Sequence, residues 1–183
     1  MTAYYAHTKE GCDEGEWQLL ADHSLNVAES ASKYAVPFGC SGWAYVSGLL
    51  HDMGKACPEF QGRLHGKHPS FDHAIAGAYF SSNSNDLNGT TLVKEGHAIA
   101  SIIAGHHGGL QDYSGRESSL RHGIEAYKRG EIPQALLSNA GVDVPDCDSS
   151  VGIRLQQLCQ TNSECQKEFL PFGVYTLEHL LYD

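Results

Sequence analysis

The stretch GWAYVSGLLHDMGK, residues 42–55, decides how this chain is read. From Gly42 to Asp52, through Ala44, Val46, Leu49 and Leu50, it is almost wholly apolar, and it stops at Gly54. An apolar segment closed by glycine predicts a buried helix. Its last turn nevertheless carries an imidazole and a carboxylate side by side, His51 and Asp52. Metal coordination is one of few reasons to place that pair where a buried interior meets a cleft. Adjacent helix residues point about 100° apart, so the two chelate one ion poorly. A carboxylate has two oxygens, however, and can bridge two divalent cations about 3.5–4 Å apart while His51 serves one of them.

Outward from this segment the pattern is helical. Leu25, Ala28, Ala31 and Ala35 recur at three- and four-residue steps and predict an amphipathic helix that starts after Asp22 and is closed by Pro37 and Gly39. Pro58 opens a short helix through Phe60 and Leu64, and after the turn GKHPS the segment FDHAIAGAYF begins a small-residue helix near Asp72. A further helix runs from about Thr91 to His107, through Val93, His97, Ala100, Ile103 and Ala104, and is stopped by Gly108 and Gly109. Arg116 to Arg129 and Ile132 to Asn139 are weaker helical segments; Val151 to Phe169 is predicted helical, and the apolar VYTLEHLLYD follows. SSNSNDLNGT and GVDVPDCDSS read as polar loops. The opening YYAHTKEGCDEGEWQLLADH reads as an extended or looped lead-in that packs on the core, and no strand pattern emerges. The fold class is therefore all-α, a helical bundle with a metal site at helix ends, in a single domain over residues 1–183.

Composition narrows the function. Twelve Lys+Arg against 22 Asp+Glu give a net charge of −10, which argues against holding nucleic acid or membrane by bulk basic charge. No apolar run approaches the roughly 18 residues of a membrane span, and Met1 to Glu10 lacks the order of a signal peptide. A soluble, cytoplasmic chain is expected. Six cysteines at irregular spacing read as reduced. The 11 histidines, nearly as many as all Lys+Arg, direct the search to metal ligands.

Those histidines gather at helix ends with carboxylates: Asp22-His23, His51-Asp52, Asp72-His73 and the pair His106-His107, with Lys55 one turn past His51. His106 and His107 can face one ion together if their helix tightens before Gly108. Asp22 and Asp72 read as helix N-caps. His65, His68, His97, His122 and His179 read as structural or surface histidines, and His7 lies in an aromatic stretch that can fold over the site. Lys55 is placed to meet a phosphate beside the metals. Gly54, Gly108 and Gly109 read as helix stops that also clear room for a substrate backbone.

A lone histidine, then HD, then a lone histidine, then HH is an order that resembles the HD superfamily of metal-dependent phosphohydrolases. LLHDMGKACPEFQGRL, FDHAIAG and IAGHHGGLQD more specifically resemble the HD nuclease domain of the CRISPR-associated helicase-nuclease of type I interference systems, over roughly Tyr4 to Asp112. The resemblance implies that His23, His51 and Asp52 ligate one metal, and that Asp52 bridges to a second held by His73, His106 and His107. It implies that Lys55 contacts the scissile phosphate or a bound water. In that family an aspartate late in the domain, in a segment like S-x-L-x-D-A-D, usually completes the first shell; here HLLYD ends at Asp183 without the A-D. The implied activity is endonucleolytic cleavage of single-stranded DNA by a metal-activated water during antiviral defence, by a monomer with no membrane partner. The implied partners are a helicase domain in the same or a separate chain and the guide-RNA surveillance complex. Nitrogen-rich donors with few carboxylates favour iron, manganese, cobalt or nickel, one ion or two, with magnesium or zinc as alternatives. Two other readings stand beside this one: a phosphohydrolase of nucleotides or other small phosphoesters, and a silent helical module with a structural metal. Structural sites are ordinarily cysteine-rich, which this ligand set is not.

Overall fold

A computed structural model describes residues 3–82, 96–112 and 118–142. Within them the chain is helical: α1 is Leu20–Tyr34, α2 Ser41–Leu50, α3 Pro58–Leu64, α4 Ala74–Ser82, α5 Gly96–Gly105, α6 Leu120–Lys128 and α7 Leu137–Ala140. Single 3₁₀ turns at Glu14–Glu16, Val36–Phe38 and Met53–Lys55 join them. The lead-in differs from the expectation of no strands: β1, Tyr5–His7, pairs antiparallel with β2, Gln18–Leu19, with Tyr5 opposite Leu19 and His7 opposite Gln18. Strands this short show no alternation for a sequence pattern to reveal.

α1 begins at Leu20, before the predicted start, and its buried stripe is Leu20, Ser24, Ala28 and Ala31. Leu25 is exposed, because Leu20 sets the phase of the helix and steps of four from it pass through Ser24 and Ala28. Asp22 is not an N-cap; it sits exposed in the first turn, where its charge meets the positive end of the helix. Asp72 does serve a helix start, accepting the Ala74 amide at 3.0 Å. Cys57 caps α3, its Sγ accepting from the Phe60 amide and donating to the Gly54 carbonyl. Among the described residues Cys12, Cys40 and Cys57 form no disulfide, and burial pushes the Cys57 thiol up to about 11.

The helices pack as α1 on α2 and α4 on α5, with α2 against α4 and α5 and with α6 against α4. Val46, Leu50, Ile99, Ile102, Ile103, Leu120 and Tyr127 fill the space between them. α1 and α2 approach closely because Gly48 has no side chain: a Cβ there would lie 2.7 Å from the Ala28 Cα. The helix predicted from Ile132 to Asn139 is reduced to α7. Pro133 disfavours helical backbone before it, and Ala135 is instead held by its amide on the Tyr127 hydroxyl at 2.9 Å. His97, on α5, is exposed, in line with its reading as a structural or surface histidine. Thr91 to Glu95, most of both polar loops, Arg116, the Val151–Phe169 helix, His179 and Asp183 lie outside the described residues. Among the described residues no helix is long and apolar enough to cross a membrane.

Candidate metal centre

The last carbonyls of a helix lack intrahelical partners, and α2 and α5 use theirs in the same way. His51, just past α2, brings Nδ1 to 2.7 Å from the Gly48 carbonyl; His106, just past α5, brings Nδ1 to 2.6 Å from the Ile103 carbonyl. A carbonyl only accepts, so each Nδ1 donates there, and whenever the ring is neutral its Nε2 presents the lone pair. That is the tautomer a metal requires. α5 tightens after Gly105, with the His106 and Gly108 amides reaching back three residues, so that the His106 and His107 rings lie 3.8 Å apart.

Asp52 stands where these ends meet, 2% exposed. Its Oδ2 lies 3.0 Å from His23 Nε2, 3.3 Å from His51 Nε2 and 2.7 Å from Lys55 Nζ. Its Oδ1 lies 3.1 Å from His73 Nε2 and 3.9 Å from His106 Nε2. The histidine nitrogens also face each other, His23 to His51 at 3.2 Å and His107 to His73 at 2.8 Å. One carboxylate thus divides the imidazoles into two groups, one on each oxygen. His23 comes from α1, His51 and Asp52 from the end of α2, His73 from the entry to α4, and His106 and His107 from the end of α5. All six residues of the expected ligand set come together. His65, His68, His97 and His122 are exposed, and His65 pairs with Glu14 at 2.7 Å.

Lys55 points inward. It is 5% exposed with its ammonium on Asp52 and 5.4 Å above the Phe60 ring. Gly54 does not clear room for a substrate: a Cβ there would lie 2.6 Å from the Cα of His73, whose backbone fills that space. Gly108 and Gly109 do face open space. His7, which the sequence left as a residue near the site, stacks edge-on against His23 with ring centres 4.9 Å apart.

The donor set fits a divalent cation. Among the described residues, His106 Nε2 is buried without a hydrogen-bond partner although it faces Asp52. Ligand atoms of Asp52, His73, His106 and His107 lie within 4.8 Å of one another, as do those of His7, His23 and Asp52. Burial opposes ionisation of Asp52 but is outweighed by the His51 charge and by hydrogen bonds from His23, His51 and His73, which hold its carboxyl well below the usual range. Burial, followed by the His51 charge, takes His106 down to about 3; burial, followed by Lys55 and His23, takes His7 down to about 4. Burial, followed by His73, lowers His107 as well.

These values fix a sign. With folded-state values below the ordinary 6.5, the histidines bind fewer protons folded than unfolded. Their contribution to stability is complete above that pH and declines as pH falls from 6.5 towards about 4. Asp52 adds no slope in that window, since its contribution is lost only below its ordinary 3.8. Thermal melts of metal-stripped protein are expected to show a falling midpoint over this range, with a shallower fall in His106→Gln; a flat profile would contradict the buried neutral histidines.

Residues 20–138, more than half of the chain, match the family model described as HD domain. No curated protein matches the chain.

Proposed function

The chain belongs to the HD domain family, typically metal-dependent hydrolases, and from that premise we propose a nuclease that hydrolyses single-stranded DNA phosphodiesters during CRISPR interference. The observation that carries the reading is the division of the Asp52 carboxylate, each oxygen facing its own group of imidazoles. Two divalent ions held there would lower the pKa of an attacking water and offset charge on the phosphate.

The chain's own residues supply the rest. The Gly48 and Ile103 carbonyls keep His51 and His106 in the ligand tautomer. Lys55 pairs with Asp52 at 2.7 Å and would add one positive charge near an arriving phosphate. A cleft of about 610 Å³ opens beside His73 and His107 and is lined by Arg63, Phe71 and Gln111 among others. An exposed guanidinium and a half-buried ring suit a phosphate and a base respectively. The net charge of −10 disfavours tracking a strand unaided. Delivery by a helicase domain, in this or a separate chain, and by a guide-RNA surveillance complex follows from the same resemblance. The nitrogen-rich ligands favour manganese, iron, cobalt or nickel over magnesium.

One observation supports a second reading. The cleft volume also falls in the range of small-molecule pockets, roughly 300–1,000 Å³, so a nucleotide or other small phosphoester would fit it. Metal-stripped protein is expected to nick circular single-stranded DNA when manganese, nickel or iron is restored, and less so with magnesium. Hydrolysis of mononucleotides with intact circles would replace the first reading by the second. Arg63→Ala is expected to raise KM for the DNA by about threefold to tenfold with kcat unchanged, the weight of one partly solvated charged contact; unchanged KM would remove Arg63 from the binding path.

A further inference from the structure

The two halves of the centre are unequal in the imidazoles that face Asp52. On the Oδ1 side of Asp52 stand three imidazoles, those of His73, His106 and His107. On the Oδ2 side stand two, those of His23 and His51. A third nitrogen donor is nevertheless in place: the ligand atoms of His7, His23 and Asp52 lie within 4.8 Å of one another. The His7 ring meets that of His23 edge-on.

His7 is held there by the strand that carries it. Gln61, on α3, treats β1 as a neighbouring strand would: its Oε1 accepts the Tyr5 amide at 3.0 Å and its Nε2 donates to the Tyr5 carbonyl at 3.0 Å. The same Nε2 donates to the Lys55 carbonyl at 2.9 Å, so one amide ties β1 to the turn that follows Asp52. On the other edge His7 pairs with Gln18. Ala6 is buried in the core, 1% exposed, whereas His7 beside it is exposed, and the register of the pair shifts between Tyr5 and His7. Before β1 the Tyr4 carbonyl accepts the Leu20 amide at 2.9 Å and its hydroxyl accepts from Asn139. A segment fixed on both edges and at its start, with its last residue at the metal-ligand cluster, is placed to ligate.

We propose that His7 is a ligand of the ion on the Oδ2 side of Asp52, joining His23 and His51, so that each oxygen of Asp52 shares an ion with three imidazoles. The proposal rests on the two-ion reading above. The ligand class is a divalent first-row transition ion, and β1 becomes part of the metal centre.

The test counts ions, independent of turnover. Metal-stripped protein is titrated with Mn²⁺, with binding followed calorimetrically and bound metal measured after dialysis. Wild-type chain is expected to take up two ions. His7→Ala is expected to weaken one site by about tenfold or more, a loss at least as large as that of a supporting residue, and to leave the other unchanged. His107→Ala is expected to weaken the opposite site. His7→Gln keeps the size of the side chain, and circular dichroism of each variant separates lost ligation from lost folding. His7→Ala and His7→Gln proteins that are folded and bind both ions with wild-type affinity overturn the proposal alone. A folded wild-type chain that binds one ion or none at saturation overturns the two-ion reading and the proposal with it.

Discussion

Replacing Asp52 by alanine is expected to lower metal-dependent hydrolysis by about a thousandfold or more and to destabilise the metal-stripped protein by about 3–5 kcal/mol. The two losses have different causes. Activity is lost because Asp52 is the one carboxylate among the imidazoles of the described site, and both of its oxygens are engaged. Stability is lost because Lys55 is 5% exposed with its ammonium 2.7 Å from Asp52 Oδ2, so truncation leaves a buried cation without its counter-charge. The double variant Asp52→Ala/Lys55→Met removes both charges and is expected to recover most of the stability and none of the activity. Urea denaturation beside a phosphodiester assay separates the two effects. An Asp52→Ala chain that still turns over, or a double variant as unstable as the single, would contradict this account.

The second large effect is expected at Gly54. A Cβ there would stand 2.6 Å from His73 Cα and 2.7 Å from its carbonyl carbon, and would overlap the carbonyl oxygen. All three are backbone atoms, so no side-chain rotation relieves the clash. The entry to α4 would have to move away, carrying His73 from Asp52 Oδ1, which it now approaches at 3.1 Å. Overpacking of this kind costs about 1–3 kcal/mol or more, and displacement of a reacting group by about 1 Å costs on the order of a hundredfold in rate. Gly54→Ala should therefore lower both the melting temperature and kcat. His73→Ala, which removes the imidazole without crowding, should spare stability by comparison. A Gly54→Ala protein with wild-type stability and rate would mean that the contact is soft.

The helical class and the gathering of the histidines around Asp52 were legible in the sequence for one reason. A histidine set directly after an apolar helix is conspicuous, and helix ends have free carbonyls to orient it, as Gly48 does for His51 and Ile103 for His106. What was not legible depends on residues far apart in sequence. β1 and β2 are too short to show alternation, and the register that places His7 is enforced by Gln61, which lies 56 positions from Tyr5. Gly54 reads as a helix stop until the His73 backbone is seen to fill the space beside it. Lys55 reads as a charge after a turn, and only the packing of Phe60 and Asp52 around it turns it inward. Leu25 lies off the buried stripe of α1, whose members include Leu20 and the polar Ser24, which an apolar periodicity does not register.

Whether one carboxylate joins two ions is read from electron paramagnetic resonance of the manganese-loaded protein. Two Mn²⁺ ions about 3.5–4 Å apart on a shared carboxylate are exchange-coupled, so two ions per chain with a coupled spectrum that Asp52→Ala abolishes are expected. Isolated, uncoupled Mn²⁺ in the wild-type protein, or a coupled pair that survives in Asp52→Ala, would contradict a shared carboxylate.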